Sequence, residues 1–132
     1  MGDRKIRILL GQLGKGRKES QLSLARNFGE AGFEVIYTEL QDPGSIVSSA
    51  LQESVDHIGI TILPDADIHA FAEMKELLKN ENCEYITITA GGFLEDSKIP
   101  LLKNMGVIEF FPQGTPFDDL IEWSKKNIKN IK

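Results

Sequence analysis

Two hydrophobic periods alternate along the chain. Five short runs are almost continuously apolar, which is typical of strands buried on both faces of a sheet. Between them, apolar residues recur three and four positions apart, as on one face of a helix; Leu24, Ala25 and Phe28 are an example, and Gly32 follows as a stop. The pattern predicts strands near Ile6–Leu10, Phe33–Leu40, Ile58–Leu63, Tyr85–Ala90 and Val107–Phe111.

The strand–helix alternation occurs five times in 132 residues, which is enough chain for one domain, residues 1–132. Each intervening helix is long enough to cross back over the sheet, so the strands should be parallel. We therefore predict an α/β protein with a flavodoxin-like, doubly wound, five-stranded sheet in the order 2-1-3-4-5 and helices on both faces. Asp67 and Thr115 are expected to cap the third and last helices.

In such folds ligands bind at the carboxyl ends of the strands, near the point where the strand order reverses. The connections that follow the strands are therefore the candidate binding segments.

Charge and composition exclude several functions. The chain has 20 acidic and 15 basic residues, a net charge of −5, which argues against a protein that binds nucleic acid with its whole surface. A single cysteine, Cys83, excludes an internal disulfide and a cysteine-cluster metal site. No apolar run could cross a membrane, and the first residues do not resemble a secretory signal, so we expect a cytoplasmic location.

The two histidines of the chain do not form an obvious catalytic or metal site. His57 begins the third predicted strand, where a surface or boundary position is expected, and His69 falls at the start of the third helix. Neither has a second histidine or a cysteine beside it in sequence, so we expect no metal ligand set and no nucleophilic triad.

The loop after the first strand combines glycines with cations. Glycines let backbone amides turn inward, and the following helix presents its positive N-terminus, so the loop could bind an anion; a solvated basic turn is the alternative. The spacing approaches a phosphate-binding P-loop, but Arg17 replaces the lysine and Lys18 the Mg²⁺-binding hydroxyl, which argues against nucleotide hydrolysis. The residues concerned are Gly11, Gly14, Lys15, Gly16, Arg17 and Lys18.

Three further loops contribute candidate binding residues. Thr61 is a hydroxyl in an otherwise apolar strand that leads to Leu63, so it needs a partner, either a ligand or a carbonyl. A glycine pair at the end of the fourth strand, Gly91-Gly92, permits close approach of a backbone or a flat ligand, or simply a turn. Gly114 and Thr115 follow the fifth strand.

A phosphoacceptor receiver domain shares this fold but requires an acidic pair after the first strand and an aspartate at the end of the third. Gly11-Gln12 and Leu63-Pro64 stand in those places, so this function is excluded.

Five stretches that span the chain follow a common pattern: 6–10 (IRILL), 31–37 (AGFEVIY), 90–92 (AGG), 103–107 (KNMGV) and 111–116 (FPQGTP). Together they resemble the cobalamin-binding domain of the coenzyme-B12-dependent mutases, of the methylmalonyl-CoA mutase and 2-hydroxyacyl-CoA mutase type. The resemblance covers nearly the whole chain, from Arg7 to Ile128. In some of these systems the domain is a separate small subunit of about this size.

The family's strongest motif, Asp-x-His-x-x-Gly, is changed in this chain. In the family its histidine is the lower cobalt ligand and its aspartate orients that imidazole. The three positions hold Leu13, Lys15 and Lys18 here. A lysine is protonated at neutral pH and leucine cannot orient a ligand, so the resemblance implies cobalamin without a protein histidine ligand.

The family's residues that hold the nucleotide tail of the cofactor are retained in this chain. The family's Ser-x-Leu becomes Thr61-x-Leu63, which retains a hydroxyl, and the glycine pair is intact. The implied cofactor-binding residues are Gly14, Lys15, Gly16, Thr61, Leu63, Gly91, Gly92, Gly114 and Thr115.

Two functions follow. The first is the small subunit of a coenzyme-B12-dependent acyl-CoA mutase, an isomerase, in which this chain holds adenosylcobalamin against a larger mutase subunit and supplies no catalytic side chain. The alternative is a non-catalytic scaffold or regulatory module of the same fold that binds a phosphate-containing anion at the basic first loop. For both functions we expect no nucleic-acid or membrane partner, because the chain is acidic and has no long apolar run.

Overall fold

A computed structural model of the protein describes residues 5–16 and 18–129. Five parallel strands form one sheet in the order β2-β1-β3-β4-β5, with five α-helices and a short 3₁₀ turn between them, so the predicted topology is confirmed. The strands are β1 (Arg7–Leu13), β2 (Glu34–Tyr37), β3 (His57–Ile62), β4 (Thr87–Gly92) and β5 (Val107–Pro112). The helices are α1 (Lys18–Glu30), α2 (Pro43–Gln52), α3 (Ala70–Asn80), α4 (Ile99–Asn104) and α5 (Phe117–Asn127).

The sheet separates two hydrophobic cores of unequal size. The larger lies under α2, α3 and α4, where Ile46, Phe71 and Leu102 are fully buried against Ile58. The smaller lies under α1 and α5 and includes the buried Phe28. Among the described helices, none combines the length and the apolarity needed to cross a membrane.

The first strand continues further than the apolar run predicts. It does not stop at Gly11 but pairs with β3 as far as Leu13, opposite Ile62. A side chain at Gly11 would meet Thr38 Cγ2 at 3.2 Å, so glycine serves close packing within the strand rather than a break. β2 is shorter than predicted and ends at Tyr37.

The fourth strand is shifted toward the carboxyl edge relative to the prediction. It begins at Thr87 rather than Tyr85, and it includes Gly91 and Gly92, which pair with Thr61 and Ile62 of β3. The glycine pair is therefore part of the sheet and not a turn after it.

Two predicted helix caps are wrong. Asp67 lies three residues before α3, and its Oδ1 accepts a hydrogen bond from the backbone N–H of His69 at 3.0 Å. The Thr115 hydroxyl donates to the Pro112 carbonyl at 2.6 Å, so it closes the turn after β5, and Pro116 precedes the first residue of α5 without any side-chain cap.

Candidate functional site

A cavity of about 500 Å³ lies at the carboxyl edge of the sheet, between the strand ends and the helices α1 and α5. Its volume is in the range of ligand pockets. The structure brings six of the predicted site residues together on its wall: Thr61, Leu63, Gly91, Gly92, Gly114 and Thr115.

The cavity exists because two neighbouring positions of its floor have no side chain. These positions are Gly59 of β3 and Gly91 of β4, both on the sheet face that α1 and α5 cover. In the register of the sheet, Gly59 stands opposite Leu10 and Thr89, and Gly91 stands opposite Thr61. A Cβ at Gly59 would lie 3.0 Å from Leu10 Cδ2, and one at Gly91 would lie 3.1 Å from the Phe111 carbonyl oxygen. Side chains here would therefore press on the floor and take up the space above it.

Gly92 has a different role from Gly91. Its φ of +111° lies in the left-handed region, and a Cβ at this position would collide with the carbonyl oxygen of Ile62. That carbonyl accepts the N–H of Phe93 at 2.9 Å. Gly92 therefore lets β4 close against β3 at the edge of the cavity, and any larger residue there would disturb the sheet itself.

The cavity wall is neutral. Its lining is mostly apolar and includes Leu24, Phe28 and Leu120 from the two helices, and none of the described lining residues has an ionisable side chain. General acid–base chemistry needs a titratable group within hydrogen-bond reach of the substrate. The cavity can therefore hold a group but has no side chain of its own for proton transfer.

His57 is buried, contrary to the surface or boundary position expected for it. The residue is 2% exposed at the amino end of β3, and its ring bridges two threonine hydroxyls of β4: Nδ1 lies 2.7 Å from Thr87 Oγ1 and Nε2 2.8 Å from Thr89 Oγ1. Burial lowers the pKa of His57 to about 3, and the nearby Asp56 charge opposes this only in part. The imidazole is thus neutral, and it fixes Thr89, which lines the cavity floor.

Gln21 is a second polar residue of the cavity wall that the sequence analysis missed. It lies in the first turns of α1, is 2% exposed, and its Oε1 is buried without a hydrogen-bond partner in the described chain. A signal was present: Gln21 precedes Leu24 by three positions and Phe28 by seven, so it stands on the apolar face of the helix.

The first loop lies outside this cavity. Gly14 and Gly16 have positive φ values, and the Lys15 side chain is exposed, but none of the three lines the cavity. Two of the loop amides are already engaged: Gly14 N–H donates to Gln41 Oε1 at 2.9 Å, and Lys15 N–H donates to Asp65 Oδ1 at 3.4 Å. A carboxylate therefore stands where the predicted anion would bind; Arg17 lies outside the described residues, as does the side chain of Lys18.

The position that the resemblance assigns to the motif aspartate is a core position. Leu13 is 4% exposed and packs in the larger core with Ile46 and Phe71. A carboxylate in this place would be buried among apolar side chains, which is costly without a partner.

His69 is the histidine that lies at the carboxyl edge of the sheet. It follows β3, its side chain is 75% exposed, and its Nδ1 lies 3.0 Å from Asp67 Oδ1. The backbone and side-chain hydrogen bonds from His69 lower the pKa of the fully exposed Asp67. No group of three or more potential metal-ligating side chains occurs among the described residues.

Two sequence relatives bear on this site. The chain is 31% identical over 124 residues to the 2-hydroxyisobutanoyl-CoA mutase small subunit of Aquincola tertiaricarbonis, covering 92% of this chain and 91% of that one. It is 29% identical over 133 residues to the methylmalonyl-CoA mutase of Rhizobium meliloti, of which it covers only 19%. No family model matches the chain.

Solved structures confirm the fold. A cobalamin-binding protein from Desulfitobacterium hafniense superposes with a TM-score of 0.78 at 16% identity, over 96% of this chain and 60% of that one. The receiver domain of a response regulator from Mycobacterium tuberculosis superposes with a TM-score of 0.73 at 11% identity, over 94% and 96% of the two chains. At these identities the likeness concerns the backbone alone.

Proposed function

Because the chain belongs to the B12-dependent acyl-CoA mutase family, with a small subunit as a relative along nearly its whole length, we propose that it carries adenosylcobalamin for a larger mutase subunit. The observation that carries this proposal is the neutral cavity at the carboxyl edge with its glycine floor. A flat, mostly apolar group such as the base of the cofactor's nucleotide tail fits such a space.

The residues that would hold this tail come from the carboxyl ends of β3, β4 and β5 and from the helices α1 and α5. Thr61 offers a hydroxyl on the floor, Gly91 leaves room above the sheet, and Leu63 forms part of the rim. When bound, adenosylcobalamin supplies the radical chemistry of the rearrangement. The chain itself would bind and orient the tail and exclude water from it, since the described cavity wall has no group that could transfer a proton.

A larger subunit would therefore supply the acyl-CoA site and the catalytic side chains. The length of the relatives supports this assignment, because the chain covers 19% of the Rhizobium meliloti methylmalonyl-CoA mutase and 91% of the 2-hydroxyisobutanoyl-CoA mutase small subunit. We infer that the carboxyl edge, where the cavity opens, faces that partner.

Cofactor retention by cavity variants tests the proposal. The protein is mixed with adenosylcobalamin and desalted, and the visible spectrum of the protein fraction is recorded. Thr61→Phe should fill the cavity and abolish retention, whereas Thr61→Ser should retain the cofactor because its hydroxyl is kept. Circular dichroism shows whether both variants stay folded. A wild-type protein that emerges without cofactor, or a folded Thr61→Phe that retains it fully, would overturn the proposal.

We propose further that the chain supplies no imidazole to the cobalt. His57 lies at the opposite, amino end of β3 with both ring nitrogens at threonine hydroxyls, and His69 stands on the β3–α3 connection rather than in the first loop. Electron paramagnetic resonance of the Co(II) form, with ¹⁵N-labelled and unlabelled protein, should show identical splittings. A ¹⁵N-dependent splitting would show a protein nitrogen on the cobalt, and its loss in His69→Gln would identify His69 as the ligand and contradict the proposal.

A further inference from the structure

Strand β5 lies at one edge of the sheet. It pairs with β4 on one side, and no other strand of the described residues pairs with its outer side. Ile108 on this strand is 44% exposed, so the edge also carries apolar surface. An edge strand presents backbone N–H and carbonyl groups to which a strand of another chain can pair.

The backbone donors of β5 that face outward follow from the pairing with β4. The N–H groups of successive strand residues point to opposite sides, and Gln113 N–H donates to the Gly92 carbonyl of β4 at 3.0 Å. Phe111 therefore also faces β4, whereas Phe110 and Pro112 face the open edge. Proline has no N–H, so Pro112 offers no donor there.

The outward N–H of Phe110 already has a partner within β5. It donates to Glu109 Oε2 at 3.3 Å, and Lys103 Nζ of α4 lies 3.9 Å from the same oxygen. The lysine therefore favours a position of the carboxylate at the edge of the strand. A strand of another chain would have to displace Glu109 before its own carbonyl could accept this N–H.

The amino end of β5 is irregular as well. Val107 stands opposite Ile88 of β4, but the next pair is Thr89 with Glu109, which makes Ile108 an extra residue, as in a β-bulge. A bulge bends a strand and hinders regular pairing along its edge. A bulge, an occupied N–H and a proline thus follow one another within the six residues of this strand.

We propose that Glu109, by holding the N–H of Phe110, keeps the β5 edge from pairing with a second copy of this chain. Two copies related by a twofold axis at Phe110 would pair antiparallel, and each Phe110 N–H would donate to the Phe110 carbonyl of the other copy. In this register Pro112 stands opposite Ile108 of the other copy and gives its carbonyl no donor. The inference does not depend on the proposed cofactor function.

Two substitutions at position 109 separate the hydrogen bond from the charge. Glu109→Gln removes the charge but keeps a side-chain oxygen that can accept the Phe110 N–H. Glu109→Thr removes the charge and that oxygen, and threonine is favoured in strands. Each is combined with Pro112→Thr, which restores the second outward donor, so the effect of this change is common to both double variants.

Sedimentation velocity measures the self-association of the two double variants, and circular dichroism shows that both are folded. We expect Glu109→Thr/Pro112→Thr to associate about tenfold more tightly than Glu109→Gln/Pro112→Thr, because two reciprocal Phe110 hydrogen bonds then form without displacing a side chain. Equal association of the two folded variants would overturn the proposal.

Amide hydrogen exchange of Phe110 tests the hydrogen bond directly. It is followed by NMR at a concentration at which the protein is monomeric, with rates corrected for the intrinsic rates of the sequences. The Phe110 amide should exchange about tenfold faster in Glu109→Thr than in wild type, and at nearly the wild-type rate in Glu109→Gln. An equal rate in wild type and Glu109→Thr would show that Glu109 does not hold this N–H and would also overturn the proposal.

Discussion

At the scale of single residues, a group of polar side chains is buried inside the sheet beside the cavity, and one of them, Thr89, lines it. His57, Thr87 and Thr89 occupy neighbouring positions of β3 and β4 that a doubly covered sheet would ordinarily give to apolar residues. The sequence shows these residue types but not their pairing, because the register between two parallel strands depends on the whole sheet. The expected surface position of His57 was wrong for this reason: the two hydroxyls satisfy an imidazole that would otherwise be costly to bury.

The burial of His57 should make stability depend on pH. Its pKa falls from an ordinary value of 6.5 to about 3 in the folded chain. Between these values the unfolded chain binds a proton that the folded chain does not, so the free energy of unfolding rises with pH. This contribution is complete above pH 6.5 and is lost as the pH falls toward 3, by at most about 1.4 kcal/mol per pH unit.

Urea unfolding at several pH values between 4.5 and 7 measures this dependence. His57→Leu should lower stability at pH 7, because two threonine hydroxyls lose their partner, and it should reduce the slope against pH by about 1 kcal/mol per unit, so the difference from wild type narrows toward pH 4.5. The slope of the unfolding free energy against pH reports the titration of His57, whereas the overall loss of stability does not. Parallel slopes for wild type and variant would show that His57 is not held neutral in the folded chain.

At the scale of elements, the succession of strands and helices could be predicted because each strand is an apolar run between two helical periods. The residues at which the elements begin and end could not be predicted, because they depend on pairing with neighbouring strands. Gly11 looks like a break in the sequence but lies within β1, and Gly91-Gly92 look like a turn but belong to β4. The cavity follows from the diagonal placement of Gly59 and Gly91 on adjacent strands, where Gly59 stands opposite Thr89 and Gly91 opposite Thr61. Only the register between the two strands determines this placement.

The close approach of β3 and β4 at Gly92 predicts a specific mutational cost. Gly92→Ala would combine a left-handed backbone with a collision against the Ile62 carbonyl oxygen. Gly114→Ala is a matched control, because its φ of +94° is also positive but nothing lies within 4 Å of its added Cβ. We expect the control to lose about 1 kcal/mol of unfolding free energy and Gly92→Ala to lose about 3 kcal/mol or more, measured by urea denaturation. Equal losses would mean that the strands can separate at low cost.

The capping of α2 is a local contact within one element. Asp42 precedes Pro43 at the first helical position, and its Oδ2 accepts the N–H of Ser45 at 2.9 Å. Asp42→Ala should cost about 1 kcal/mol. Asp118→Ala, in the first turn of α5 where no side-chain cap forms, should cost less, since only a weak interaction with the helix dipole is removed. Thermal unfolding of the two variants compares them directly, and equal shifts would argue against the cap.

At the scale of the whole molecule, the carboxyl edge combines the cavity mouth with exposed apolar side chains. Leu40 follows β2 and is 43% exposed; Phe117 begins α5, lines the cavity and is 36% exposed. Both leave apolar surface in water on the side where a cofactor would project. Single exposed hydrophobics are common, but two on the edge that carries the cavity favour this edge as the interface with the proposed larger subunit.

Substitution on this edge should separate partner binding from folding. We expect Phe117→Glu and Leu40→Glu each to weaken the complex with an acyl-CoA mutase large subunit by tenfold or more, because a charge would be buried against an apolar interface. Ile108→Glu is the control: Ile108 is 44% exposed on β5, but it lies toward the amino end of that strand and should not touch the partner. Surface plasmon resonance against the large subunit, with and without cofactor, gives the three affinities. If Ile108→Glu weakens the complex as much as the two edge variants, the partner does not dock on the cavity side. If the wild-type protein binds no large subunit even with cofactor present, this chain does not work as its small subunit.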